Sequence, residues 1–484
     1  MRRVAAVAIV LLAAIGIGLA FVFPHPRLLL PTLLGAGTIV VALVPFIRRG
    51  RRLDIFEPVV PACAFLAVLF GVRALTVLHE SALVYDGQPF SQSDLTRAIA
   101  AGFIGTLGFV IGYEIWAARG PVPRRVGGVG GDIRAAREFA VFATIAGIGL
   151  FVMNLSRGSS ILGTLRLMLH GRSSELGTIF QSSSEYLSSA PILASCGALV
   201  VILCAGARKL SRAEWTLIAV TSLVPVILFG LTGSRRFVIP AVGVPLVALY
   251  VVRGRRPRWR WVAIAGIAAF LVLAVVPYER SQGARQNSGG VVRIAVRAVE
   301  HPKDVMSQFI NGNDTEDLST LALEIRALPH PGDFYYGRAT VGDVILAPIP
   351  TMLIPSKPTT ARNSLLVKVF GLPCDPTSGG CPDFSVVGSF YQDFWYPGVF
   401  LEMALLGIAA AAIWRRGGSR GSSPTATAAA AVTTVFLPII IRAGWMPAFA
   451  WSLYFFVPTA VGLALTRLAA RVERSRVVAV DASA

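Results

Sequence analysis

Charge is in short supply in this chain. Only 15% of its residues are Asp, Glu, Lys or Arg, against 54% hydrophobic, whereas soluble domains are about a quarter charged. That ratio excludes an ordinary water-soluble enzyme. Acidic residues are scarcer still, 26 against 45 Lys and Arg, for a net charge of +19. The arginines cluster in short loops between apolar blocks, where cations fix membrane topology, so nucleic acid is not an expected partner. Cysteine and histidine number five each, too scattered for the spacing of a zinc site. "GGVGGD" (127–132) lacks the Lys-Ser/Thr of a phosphate loop, and neither H-E-x-x-H nor G-x-S-x-G occurs. No metal or cofactor is expected.

What is present is a series of apolar blocks of roughly bilayer-spanning length. The expected fold is an all-α polytopic membrane protein of about twelve helices. The spans are Val4–Phe23, Leu28–Ile47, Val59–Val77, Ala98–Ala117, Ala136–Leu155, Ala190–Gly206, Trp215–Thr232, Phe237–Val252, Trp261–Pro277, Pro397–Trp414, Thr425–Ile441 and Trp445–Arg467. The first, which resembles a signal peptide in charge and length, lacks a clear cleavage site and reads as a retained span. Alternate loops hold the arginine clusters, such as 48–52, 253–260 and 415–420. The positive-inside rule then puts both termini in the cytoplasm. Residues 1–277 form spans one to nine, 278–396 an extracytoplasmic loop or cap, 397–467 spans ten to twelve and 468–484 a cytoplasmic tail.

The 278–396 segment is too long to be a mere connection. Within it, "DTEDLSTLALEIRAL" (314–328) starts with an acidic turn and places Leu318, Leu321, Ile325 and Leu328 at helical spacing. "VGDVILAPIPTMLIP" (341–355) is apolar but too short to span and reads as interfacial or re-entrant. Cys63, Cys196 and Cys204 fall in spans as small packing residues, while Cys374 and Cys381 flank "DPTSGG" and favour a disulfide, with two free thiols the alternative.

Cations also collect on the expected outer side. "LTGSRRF" (231–237) sets Arg235 and Arg236 at a turn between spans, and "PYERSQGARQ" (277–286) sets Glu279, Arg280 and Arg285 just above another. Charges at that depth call for a partner. An anionic lipid headgroup fits, because guanidinium matches phosphate and can supply countercharge to a departing pyrophosphate without a metal.

The order of parts resembles the bacterial oligosaccharide repeat-unit polymerases, the O-antigen polymerase or Wzy-type family. The resemblance rests on "DIFEPVVPACAFLAVLFGVRAL" (54–75), "LTGSRRFVIPAVGVPLVALY" (231–250), "YYGRATVGDVILAPIPTMLIPSKP" (335–358) and "SVVGSFYQDFWYPGVFLEMALLG" (385–407). It implies a metal-independent glycosyltransferase of the plasma membrane, moving glycan from polyprenyl pyrophosphate to the next lipid-linked repeat. A flippase and a chain-length regulator would be its partners. Under it, Arg235, Arg236, Arg280 and Arg285 would hold pyrophosphate, and Arg338, Lys357 and Arg362 would line the glycan path. Glu279 and Asp393 are the candidates for the base that takes the acceptor proton, although Glu279 equally serves to neutralise Arg280. Asp393 lies in "YQDFWYPG", among aromatics suited to sugar faces. A ligase using the same donor and a flippase or transporter are the other readings; no internal repeat of the transporter kind is evident.

Overall fold

The computed structural model describes residues 26–50, 53–78, 83–85, 88–119, 131–156, 185–231, 235–254, 300, 317–328, 330, 333–346, 349, 360–370 and 384–483. The expected spans Val4–Phe23 and Trp261–Pro277 lie outside them. The described chain is predominantly helical, and eight of its helices are long and apolar enough to cross a membrane, with two shorter apolar helices beside them. It is a membrane-embedded protein.

The helices are α1 (Pro26–Arg49), α2 (Val59–Leu66) continuing through a π-turn (Ala67–Val72) into α3 (Arg73–Val77), α4 (Gln92–Ala117), α5 (Ile133–Leu155), α6 (Glu185–Ser189), α7 (Ile192–Ala205), α8 (Arg212–Leu231) and α9 (Arg235–Arg253). Then come α10 (Asp317–Ala327), a second π-turn (Arg338–Gly342) leading into α11 (Asp343–Leu346), α12 (Ala361–Phe370), α13 (Val386–Gly417), α14 (Pro424–Ala443) and α15 (Trp445–Ser483). Two short strands, β1 (Val84–Tyr85) and β2 (Gln88–Pro89), pair antiparallel before α4.

Two helices start well ahead of their expected spans. The sequence places a span at Ala98, but α4 begins at Gln92. Ser91 and Asp94 close a reciprocal capping box there, so polar residues lie inside the helix. The sequence likewise starts a span at Pro397. Instead α13 begins at Val386, its first turn capped by the Ser385 hydroxyl, which accepts from Gly388 N at 3.2 Å. The helix direction then breaks at Phe394 and Trp395, whose backbone is non-helical. Pro397 sits in the first turn beyond the break, where its missing N–H costs little.

The two longest helix contacts set the frame. α4 and α13 run parallel with their backbones touching. A methyl group on Gly108 would lie 2.5 Å from the Phe400 carbonyl oxygen, and one on Gly112 would fall on that of Ala404. Gly-x-x-x-Gly spacing brings helices this close in a bilayer, where dispersion rather than the hydrophobic effect holds them. α7 is buried on nearly every side, packed by α5, α8, α9 and α15. An all-apolar helix is stable only in such a position.

One end of the bundle gathers the arginine clusters. Arg49 bonds both Glu57 and Glu114, Arg48 reaches Glu114 at 2.9 Å, and the Tyr113 hydroxyl donates to Glu57 at 2.9 Å. Nearby, Glu214 is fully buried between Arg137 and Arg208. Arg415 caps α4 by donating to the carbonyls of Trp116 and Arg119 at 3.2 and 3.3 Å.

Candidate functional site

The opposite end is built around the break in α13. With Pro397 lacking an N–H and Phe394 and Trp395 leaving helical geometry, the carbonyls of Gln392 and Asp393 lose their helical donors. The strap before the second π-turn supplies replacements. Tyr335 N donates to Gln392 O at 2.9 Å and Tyr336 N to Asp393 O at 3.1 Å. The Asp393 side chain completes the attachment. Its Oδ1 accepts from Ala339 N at 2.9 Å, and its Oδ2 from Thr340 N at 2.8 Å and the Thr340 hydroxyl at 2.6 Å. Asp393 is therefore a buried N-terminal anchor for the π-turn, its charge neutralised by backbone dipoles. The far side is held by Trp445, whose indole N–H donates to Thr340 O at 2.8 Å. Asp343, also buried, accepts from Ala361 N at 2.7 Å and so ties α12 to α11.

The backbone that meets the anchored turn is under strain on both sides of the contact, at Tyr336 and at Trp395. Tyr336 and Trp395 have φ of +50° and +59°, the left-handed region that side chains avoid. They are the only such non-glycine residues among the described ones. Both are exposed, as are Phe394 and Arg338. Tyr336 meets Phe394 edge-on at 6.1 Å, and Trp395 lies 5.2 Å from Tyr396. The result is an outward aromatic surface with a cation on the same turn. Non-helical backbone and π-turns concentrate where function requires them.

Beneath the strap is a water-sized cavity of about 10 Å³, lined by Ala339, Asp343, Ser389, Gln392, Gly444 and Met446 among others. α10 lies on the other side of α13's first turns. The expected apolar stripe of α10 is buried at Leu318, Leu321, Ile325 and Leu328, but so are Ser319, Thr320 and Glu324. Sequence periodicity presents those three as a polar face; here α4, α12, α13 and the first π-turn pack around the helix and cover that face as well.

The sequence-derived candidates separate as follows. Arg338 and Asp393 are brought together through the π-turn. Arg362 belongs to the first turn of α12, which adjoins that π-turn. Arg235 and Arg236 open α9, which packs on α7, α8 and α14. Glu279, Arg280, Arg285, Lys357, Cys374 and Cys381 lie outside the described residues. Cys63, Cys196 and Cys204 are buried free thiols. Three features of the site were not read from the sequence: Glu324, the anchoring role of Thr340, and Trp445. "YYGR" and "FWYPG" carried a signal, since Gly beside aromatics and Pro after them mark backbone that leaves helical geometry.

The Lys368 ammonium, 2.6 Å from Asp333, holds that carboxyl below its usual range. Burial pushes the Tyr335 phenol up. No protein-family model, curated protein or solved structure matches the chain.

Proposed function

We propose that the protein polymerises lipid-linked oligosaccharide repeat units, transferring a glycan from polyprenyl pyrophosphate to the next lipid-linked repeat. In this reading twelve spans cross a bacterial plasma membrane. The arginine-rich end and both termini face the cytoplasm, and the strained aromatic end, which belongs to the 278–396 segment, faces outward. The observation that carries it is the exposed set Tyr336, Phe394 and Trp395 with Arg338 on the same anchored turn. Aromatic faces suit the apolar faces of sugars, and a guanidinium suits phosphate.

The acceptor hydroxyl attacks the anomeric carbon of the donor. The bond from that carbon to pyrophosphate breaks, and the leaving group keeps the electron pair. Arg235, Arg236, Arg280 and Arg285 supply its countercharge, with no metal required. Arg338, Lys357 and Arg362 line the glycan path. Glu279 or Asp393 takes the acceptor proton. Three hydrogen bonds already engage Asp393, which favours an anchoring duty for it.

The test is to delete the gene and follow the carrier-linked sugars. Single repeats accumulate under this reading, and wild-type protein restores polymer while Arg338→Ala restores little. Full-length polymer that fails only to reach its anchor would assign ligase chemistry instead. Loss of polymer with repeats held on the cytoplasmic face would assign transport.

A further inference from the structure

Among the described residues, Glu324 is a buried carboxyl that no contact so far accounts for. It is fully buried near the middle of α10, outside the membrane-spanning helices. Neither carboxyl oxygen has a hydrogen bond of ordinary geometry. Those oxygens press on the α13 backbone at Gly388, where even a methyl group would collide with them. Gln392, one turn further along α13, lies beside the carboxyl and is the one group that favours its charged form, while burial and Asp317 oppose it. An ionised carboxylate in a dry site is strongly disfavoured unless paired. Such a group keeps its proton instead, and its carboxyl is held well above the usual range.

The surrounding elements do not change that balance. On α13, Tyr391 feels the same carboxyl, and Asp393 is spent on the π-turn. On α4, Asp94 is locked to Ser91, and Arg97 is exposed. On α12, Lys368 is paired with Asp333. The π-turned span contributes Arg73, buried, and β1 contributes Tyr85. On α10 itself Arg326 points out to the Pro89 carbonyl.

We propose that Glu324 is a proton-binding site that couples docking of α10 to protonation. With its proton, α10 seals against α4 and α13 behind the turn that carries Gln392 and Asp393. When α10 lifts, the carboxyl meets water and releases the proton to it. The sign follows from linkage. The docked state holds the proton to higher pH than the lifted state. Docking is therefore strongest below the usual carboxylate range and weakens as pH rises above it, by up to about tenfold per pH unit. Lifting α10 uncovers the back of the candidate site, so rising pH loosens its support. The inference does not depend on the chain being a polymerase.

The experiment is hydrogen–deuterium exchange over 317–328 in the full-length protein in lipid nanodiscs from pH 5 to 9, corrected for intrinsic exchange. In the wild type the opening equilibrium rises about tenfold per pH unit over part of that range. In Glu324→Gln and Glu324→Met, which cannot ionise, it stays level and low. A flat wild-type profile overturns the proposal without recourse to either variant. So does a Gln variant with the wild-type slope, or loss of protection in both variants at every pH, which would mean that the site needs a carboxylate.

Discussion

The two ends of this bundle neutralise buried carboxylates by opposite means. At the arginine-rich end Glu57, Glu114 and Glu214 are met by guanidinium groups. At the other end Asp393 and Asp343 are met by backbone N–H groups, and Glu324 has no such partner. The backbone divides the same way. Left-handed positions at the arginine-rich end are glycines (Gly50, Gly206, Gly254 and Gly421), while the other end also puts Tyr336 and Trp395 in that region. The first end is built to hold; the second carries strain and unpaired polarity that a purely structural cap would not retain.

The largest effect should come from breaking the well-paired end. Arg49→Met leaves Glu57 and Glu114 short of their main cation. Its side chain is 18% exposed and theirs 8% and 10%, so water repairs little of the loss. Removing one partner of a buried network costs about 3–5 kcal/mol. Unfolding in mixed micelles should register that drop, while pairing Arg49→Met with Glu57→Gln should recover part of it. A loss below about 1 kcal/mol would mean that the network is screened as a surface pair would be.

A smaller effect, with a sharper division, is expected at the strained end from Asp393→Asn. An amide accepts one of the two backbone N–H bonds but turns its NH₂ toward the other, so stability falls by about 1–3 kcal/mol. If Asp393 only anchors the π-turn, Asp393→Asn and Thr340→Val lower turnover together, and the pH profile of turnover keeps its shape. If it is the base, the Asn variant alone loses roughly 10²–10⁴-fold and its acidic limb disappears.

That contrast also marks what sequence could carry. Ten of the twelve expected spans coincide with described helices, because apolar length is a local property, and the other two lie outside the described residues. The arginine clusters were legible as a set, but not that Glu57 and Glu114 would fold back onto Arg49. That pairing joins α1, α4 and the turn before α2. In α10 the spacing of Leu318, Leu321 and Ile325 forecast a helix with one apolar face. Burial of Glu324 depends on what covers the opposite face, which periodicity cannot see. Apolar length opens a span at Pro397, whereas the Ser385 cap and the break at Phe394 put that residue in the first turn of the helix's second half. The candidate site was half visible, as Arg338, Asp393 and their aromatic neighbours, because unusual residues announce an unusual backbone. The hydrogen bonds that fix them, from Tyr335, Thr340 and Trp445, join segments far apart in the chain.

The smallest effect tests the strain itself. Trp395 is held at φ +59° and ψ −151°, a region that glycine enters freely. Holding a side chain there costs of order 1–3 kcal/mol. Trp395→Ala gives up the ring's contact with Tyr396, worth about 0.5–1.5 kcal/mol, and keeps the strain. Trp395→Gly gives up the same contact and loses the strain, at a chain-entropy cost of about 0.5–1 kcal/mol. The Gly variant should therefore match the wild type within about 2 kcal/mol and be more stable than the Ala variant, the reverse of their order at an ordinary helical position. If the ring serves a sugar, both variants should weaken binding of a lipid-linked repeat to the same degree despite their different stabilities. An Ala variant as stable as the Gly variant would show that the turn relaxes once the indole is gone, and that the strain belongs to the ring's placement rather than to the backbone.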